Sequence, residues 1–282
     1  MVNIIFFGSS EYSVVILQKL LEIKNFSVSV VVTKVDKPVG REQKVTPNPV
    51  ASFASKNNLN LLQIENFDKN CKLKIKNLKP DLGLCVAFGP PYFDQEMIDL
   101  PKYKIINIHP SPLPKYRGAT PGPWQIINGE TKSAVTFFQI DALPDHGPII
   151  TQIPFNISTT ETATTFYQKA FSLAADKLES VLKSYLKDPK SIKIQDHTQK
   201  SYFPKFDKDS AQINWQWDQS KIERFIRALN PWPIAWTYVV NQPGQKLKMK
   251  IFSFNSQPIE VQIEGKKRSN WSQISNYYLI QK

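Results

Sequence analysis

Apolar residues follow two rhythms along this chain. Val2 to Phe7 is a nearly unbroken apolar run that stops at Gly8-Ser9-Ser10, the pattern of a strand covered on both faces. Beyond the serines the spacing lengthens to three and four, placing Val14, Leu17, Leu20 and Leu21 on one face of a predicted helix. A second apolar run, Ser27 to Thr33, completes a βαβ unit and predicts a parallel sheet.

The alternation continues. A helix is expected over Pro49 to Lys56 with Val50, Phe53 and Ala54 inward, and a strand near Leu59 to Gln63. Next come a short helix through Leu73, Ile75 and Leu78 and a buried strand from Asp81 to Phe88, closed by Gly89-Pro90-Pro91. A helix from Gln95 to Leu100 leads to a strand carrying Asn107; Trp124 to Asn128 reads as helix, and Ala134 to Ile140 and Gly147 to Phe155 as strands. Thr160 to Leu186 predicts a long amphipathic helix, with Phe166, Ala170, Leu173, Ala174, Leu178, Val181 and Tyr185 at helical spacing. Lys34 to Pro49 reads as an unstructured loop bearing Lys34, Lys37, Arg41 and Lys44.

The rhythm breaks after the polar stretch Lys187 to Thr198. Ala211 to Lys282 shows short β-rich pieces with Trp215, Trp217, Trp232, Trp236 and Trp271 and no βα alternation, with room for five short strands. The predicted fold class is α/β: a Rossmann-like, mostly parallel sheet domain over residues 1–186, a linker over 187–204 and a small, mostly β domain over 205–282. The first turn has one glycine and lacks G-x-G-x-x-G, so no dinucleotide site is indicated.

Charge alters this picture more than composition does. Lysine and arginine outnumber acidic residues by 36 − 24 = 12, and residues 201–282 alone carry 12 Lys or Arg against 6 Asp or Glu by count. Such a balance suits a polyanionic partner, nucleic acid first, or a lysine-solvated surface. No apolar run is long enough for a transmembrane helix, no basic leader precedes the first strand, and two cysteines make neither a disulfide framework nor a metal cluster. A reduced, cytoplasmic protein with no membrane association is expected.

The chemistry centres on residues 104–121. Ile105, Ile106 and Ile108 carry Asn107 and His109 two positions apart, hence on one face of a strand, before Pro110, Pro112 and Pro114 impose a stiff loop. Asp145 lies in the turn Pro144-Asp145-His146-Gly147-Pro148 between two later strands. Ligands of doubly wound sheets bind beyond the carboxyl ends of strands, where these three would converge. A neutral amide donor, an imidazole and a carboxylate suit attack of an amine on a bound carbonyl. No Ser or Cys stands beside a second base, and His109, Asp145 and His146 lack a third firm ligand, so neither a covalent intermediate nor a metal is expected.

Asn107-Ile-His-Pro-Ser-Pro-Leu-Pro-Lys-Tyr-Arg-Gly118, followed by Asp141-x-x-x-Asp145-x-Gly147, resembles the formyltransferases that use 10-formyltetrahydrofolate. The opening Phe6 to Tyr12, the loop Lys37-Pro-Val-Gly-Arg41 and the stretch Ala228-Leu-Asn-Pro-Trp-Pro233 resemble the branch acting on methionyl-tRNA. The resemblance implies Asn107, His109 and Asp145 as catalytic residues, with Asp145 orienting His109 and assisting proton removal. It implies a folate wall from Val86 through Phe88 and Gly89 to Tyr92, with Ser111, Pro112, Gln139 and Asp141 beside it. It further implies Arg41, Lys37, Lys44 and Arg227 toward initiator methionyl-tRNA, an oligonucleotide-binding (OB)-like barrel at the C-terminus, and a monomer. Pro112 departs from the usual motif, and so do Pro144 and His146, whose turn leans toward relatives that formylate a small amine, a nucleotide-linked amino sugar or glycinamide ribonucleotide. A catalytically silent RNA-binding protein is a third reading.

Overall fold

The computed structural model describes residues 1–39 and 42–281. It forms two compact units, one of residues 1–117, 134–155 and 168–202, the other of 118–133, 156–167 and 203–282.

The first unit is built on a seven-stranded sheet. Its strands are β1 (Val2–Gly8), β2 (Phe26–Lys34), β5 (Leu61–Ile64), β6 (Leu82–Val86), β7 (Ile105–His109), β8 (Lys132–Gln139) and β9 (Ile149–Asn156), in the order β5-β2-β1-β6-β7-β8-β9. β5, β2, β1, β6 and β7 run parallel, and β8 is antiparallel to β7. Helices α1 (Glu11–Glu22), α2 (Pro49–Lys56), α3 (Lys69–Asn77) and α4 (Gln95–Asp99) connect the parallel strands. Ile4 to Phe7 and Leu82 to Val86 are buried throughout, which is why these strands read as apolar runs without alternation. The segment expected to be a bare loop instead holds a short antiparallel ladder, β3 (Lys37–Val39) with β4 (Lys44–Thr46).

Local signals set the helix starts. Ser10 caps α1 and accepts from the Ser13 amide, while Ser13 accepts in return from the Ser10 amide. Gly8 is required just before: a Cβ there would stand 2.6 Å from Ser13 Cβ. The one-face assignment fails at Leu21, and Leu73 of a later predicted helix also faces out. Leu21 and Leu73 are 41% and 57% exposed, and the buried faces run through Ser13, Ile16, Leu17 and Leu20 on α1 and through Cys71 and Ile75 on α3. At 100° per residue, each of these leucines falls beside the buried stripe, outside it.

The second unit contains α5 (Pro121–Ile127), which packs on α7 (Gln219–Ala228). The long α6 (Ala163–Lys187) begins in this unit and continues in the first. The sequence reading had no helix at 219–228. Asp218 caps it, and Ile222, Phe225 and Ile226 form its buried stripe. Beyond lies the five-stranded antiparallel sheet of the OB-like half-barrel: β10 (Trp236–Asn241), β11 (Lys246–Ile251), β14 (Glu260–Ile263), β15 (Arg268–Asn270) and β16 (Tyr278–Ile280), ordered β15-β14-β11-β10-β16. A minor ladder of β12 (Phe254–Asn255) with β13 (Gln257–Pro258) and a short α8 (Trp271–Ile274) complete it. Among the described residues no helix is long and apolar enough to cross a membrane.

Candidate active site

The chain runs outward from β1 through β2 to β5, then returns to lay β6 on the other side of β1. This reversal opens a crevice at the carboxyl ends of β1 and β6, the usual ligand position in such sheets. β7 lies next to β6, with Asn107 opposite Cys85. Ile105, Ile106 and Ile108 are buried and fix the strand, while Asn107 is only partly covered; among the described residues no hydrogen bond to its carboxamide is formed.

His109 is 5% exposed. Its Nε2 lies 2.9 Å from the Tyr116 carbonyl oxygen. A carbonyl only accepts, so Nε2 carries a hydrogen, and Nδ1 is the nitrogen turned toward the next loop. That Nδ1 stands 3.6 Å from Asp145 Oδ1. The turn bearing Asp145 is tightly placed: Asp145 has φ +51°, and a Cβ on Gly147 would come within 1.9 Å of the Gln139 carbonyl oxygen. The ring is thus held on its Nε2 side by Tyr116, a partner seven residues along, and faces the carboxylate with Nδ1.

A polar network lies behind. Arg117 and Gln195 are 4% exposed each. An Arg117 Nη2–H donates to Gln195 Oε1 (2.6 Å) and to His197 Nδ1 (2.9 Å). Gln195 Nε2 donates to the carbonyls of Asp145 (3.0 Å) and Gly147 (2.7 Å). His197 stacks on His146, with ring centroids 4.0 Å apart, and His146 Nδ1 donates to Asp141 at 2.6 Å. Burial pulls the Arg117 guanidinium below its usual value, opposed by Asp145 and Asp141. Burial also lowers His197, and its neighbours His146, Arg117 and Lys200 add to that effect while Asp141 opposes it.

The segment after β6 lines the crevice. The Ala87 carbonyl accepts from Ser9 Oγ (3.1 Å) and the Val86 carbonyl from Ser13 Oγ (2.6 Å). Ala87 and Gly89 take φ of +44° and +67° and are exposed. Phe88 turns inward at 2% exposure and packs with Phe7 and Phe93, so it offers the crevice main chain only. Burial drives the Cys85 thiol far above its ordinary value.

Residues 2–182 match the family model described as formyl transferase, and residues 205–265 match that of its C-terminal domain. The methionyl-tRNA formyltransferase of Acetivibrio thermocellus is 37% identical over 253 residues, covering 89% of this chain and 79% of that one. That of Geobacter sulfurreducens is 32% identical, covering 92% and 81%. The chain belongs to the formyl transferase family. A solved methionyl-tRNA formyltransferase from Clostridium thermocellum shares its fold at a TM-score of 0.57 and 18% identity, covering 93% of this chain and 99% of that one. An N-formyltransferase from Helicobacter canadensis, solved with folinic acid and dTDP-3-aminofucose, shares it at 0.67 and 21%, covering 100% and 99%.

The other expected site residues of this formyl transferase are placed unevenly. Ser111 Oγ donates to the Lys115 carbonyl, Gln139 to the Tyr185 hydroxyl, and Asp141 accepts from His146 and the Leu143 amide. Pro112 is half-buried in the loop after β7, and Tyr92 is 69% exposed. Lys37 and Lys44 are exposed on the β3–β4 ladder, whereas Arg41 lies outside the described residues. Arg227 donates to the Glu161 carbonyl and faces Glu223 at 3.7 Å, so its guanidinium is engaged within the second unit. Sequence reasoning missed the row Lys246, Lys248 and Lys250 on one face of β11. There Lys246 Nζ sits 4.0 Å from the Tyr238 ring centroid and Lys248 Nζ 3.4 Å from that of Trp236. Alternation of lysine with Leu247, Met249 and Ile251 was the available signal.

Proposed function

We propose that this formyl transferase moves the formyl group of 10-formyltetrahydrofolate to the α-amine of methionine esterified to initiator tRNA, for translation initiation. The observation that carries the reading is the meeting of His109 Nδ1 and Asp145 Oδ1 across 3.6 Å, beside an Asn107 carboxamide on the same strand face. The relatives named for this activity, 32–37% identical over most of the chain, support the choice of acceptor.

The folate fits the crevice. A flat heterocycle with donors and acceptors along its edge suits a wall of exposed main chain, and the turn at Ala87 and Gly89 supplies one. Val86, Phe88, Gly89 and Tyr92, with Ser111, Pro112, Gln139 and Asp141, are the residues we assign to it. When bound, it supplies the formyl carbon that the amine attacks.

The residues divide the chemistry between them. The Asn107 amide N–H donates to the formyl oxygen as negative charge grows there, without itself titrating. Nδ1 of His109 and the Asp145 carboxylate face each other across 3.6 Å. The pair would act as general base for the proton released by the attacking amine, and that proton would leave with the tetrahydrofolate nitrogen as its bond to the formyl carbon breaks. Gripping the tRNA falls to Lys37, Arg41 and Lys44 and to the lysine row of β11. We assign catalysis to residues 1–186 and tRNA binding to 205–282, with 187–204 between them, in a cytoplasmic monomer without membrane association.

Incubation with 10-formyltetrahydrofolate and methionine-charged initiator tRNA should yield formyl-methionyl-tRNA, and charged elongator tRNA should react poorly. The Pro144, Asp145, His146, Gly147, Pro148 turn favours a second reading, transfer to a small amine. Formylation of a nucleotide-linked amino sugar or glycinamide ribonucleotide, with inert initiator tRNA, would replace the first reading by the second.

A further inference from the structure

The catalytic pair sits on two separate loops. His109 ends β7, but its ring is fixed by the Tyr116 carbonyl in the loop that follows, and Asp145 lies in the turn between β8 and β9. Their separation is therefore set by whatever ties residues 110–117 to residues 141–148. Arg117 directly follows Tyr116. Its guanidinium holds the Gln195 carboxamide by the oxygen, and the amide nitrogen of the same group donates to the carbonyls on both sides of His146. Both side chains are almost wholly buried. A buried carboxamide with one acceptor and two donor contacts made is conformationally fixed, because no alternative rotamer would keep all three.

The segment carrying Gln195 is itself anchored. Lys193 and Ile149 exchange backbone hydrogen bonds of 2.7 Å in both directions, and the Arg117 amide donates to the Ser201 carbonyl at 2.9 Å. Ser201 Oγ in turn accepts from the Tyr116 amide at 2.9 Å. Residues 193–201 therefore span from β9 to the loop that orients His109, with Gln195 reaching the Asp145 turn on the way.

We propose that Gln195, oriented by Arg117, is a positioning residue for formyl transfer: it braces the two loops that carry His109 and Asp145 and thereby sets the gap between them. The Asp145 backbone at φ +51° lies in the left-handed region, which costs an L-residue energy that contacts around the turn can offset. The two carbonyl contacts from Gln195 flank that turn. Neither Gln195 nor Arg117 need touch substrate; both act through the pair. This inference rests on the proposed formyl transfer, and its test separates the two.

Three variants are compared with wild type using 10-formyltetrahydrofolate and methionine-charged initiator tRNA. Gln195→Met keeps the volume and loses every hydrogen bond. Gln195→Glu keeps the acceptor toward Arg117 and replaces the donating nitrogen by one oxygen that repels both carbonyls. Gln195→Asn keeps both functions one methylene short. Misplacement of a reacting pair by about 1 Å costs on the order of 10²-fold in rate. Gln195→Met and Gln195→Glu should therefore lower kcat per folate-binding site by about 10²-fold with both KM values within about twofold, and Gln195→Asn should fall between them and wild type. The pH profile of kcat should change shape, which a mere loss of folded enzyme would not produce. A kcat per folate-binding site within about threefold of wild type in both the Met and Glu variants would overturn the proposal. So would a fall matched entirely by lost folate-binding sites. If Gln195→Met fails to fold, Gln195→Glu carries the same expected ratio. If wild type itself leaves charged initiator tRNA untouched, the functional reading fails, and the brace is judged from crystal structures of Gln195→Glu and Gln195→Asn. Asp145 leaving positive φ and moving away from His109 would support it; an unmoved turn would overturn it.

Discussion

The carboxyl ends of the parallel sheet and the lysine face of the antiparallel sheet solve different problems with different materials. At the first, polar groups are buried and hydrogen-bonded; His109, Arg117 and Gln195 are each no more than 5% exposed. At the second, Lys246 and Lys250 are exposed and Lys248 half-exposed on one side of β11, while Met249 and Ile251 on the other side are fully buried. Bond-making needs a few groups held to tenths of an ångström in a low dielectric, where each interaction is strong. Holding a polyanion needs several cations at tolerant spacing, each worth little and screened by salt. One region should therefore fail abruptly on single substitutions, and the other should fail by degrees.

The sharpest break of that contrast is at Asp145. Asp145→Asn leaves the shape of the turn but puts an amide where Nδ1 meets a carboxylate, removing the base. We expect kcat to fall by about 10²- to 10⁴-fold with KM for both substrates nearly unchanged, read by steady-state kinetics. A KM effect alone would move Asp145 out of the chemistry. Asn107→Ala comes next. Loss of one donor to the developing oxyanion costs about 10²- to 10³-fold in kcat, and an unchanged rate would leave that oxygen to another donor.

These expectations draw unequally on the sequence. The parallel sheet was legible because strands covered on both faces are unbroken apolar runs, as at Leu82–Val86. The shared face of Asn107 and His109 followed from the two-residue period of a strand. Tyr116, Arg117 and Gln195 were not legible. The Arg117–Gln195 contact spans 78 positions, and Gln195 lies in a polar stretch that reads as a linker because the side chains a buried network needs are those a solvated segment also uses. The helix at Gln219–Ala228 was hidden by brevity: one stripe of Ile222, Phe225 and Ile226 among tryptophans does not separate from short strands by spacing alone.

The gradual side is tested by replacing the lysine row. Lys246→Ala, Lys248→Ala and Lys250→Ala, singly and together, should each raise KM for tRNA modestly and leave kcat unchanged. The slope of log affinity against log salt should shrink by about one for each lysine that meets a phosphate. Lys248→Ala should be the largest of the three, because its ammonium sits over the Trp236 ring and is therefore held in place. A salt slope untouched by the triple variant would remove this face from tRNA binding, and the two regions would no longer differ in the way argued here.

The smallest effect lies at the start of α1, where burial acts on a group outside the chemistry. Tyr12 stacks on Phe171 with ring centroids 5.4 Å apart, and burial, with Glu11 adding to it, raises the phenol to about 12 from 10.0. The unfolded chain releases this proton near its ordinary value, so between pH 10 and about 12 the folded state binds the extra proton. The stability it contributes is full below pH 10 and is lost as pH rises through the folded value. Deprotonating lysines destabilise wild type and Tyr12→Phe alike over that window, so the difference between the two melting curves isolates the phenol. Wild type should lose melting temperature slightly faster than Tyr12→Phe from pH 10 upward; parallel curves would mean that Tyr12 ionises as freely in the folded protein as in the unfolded one.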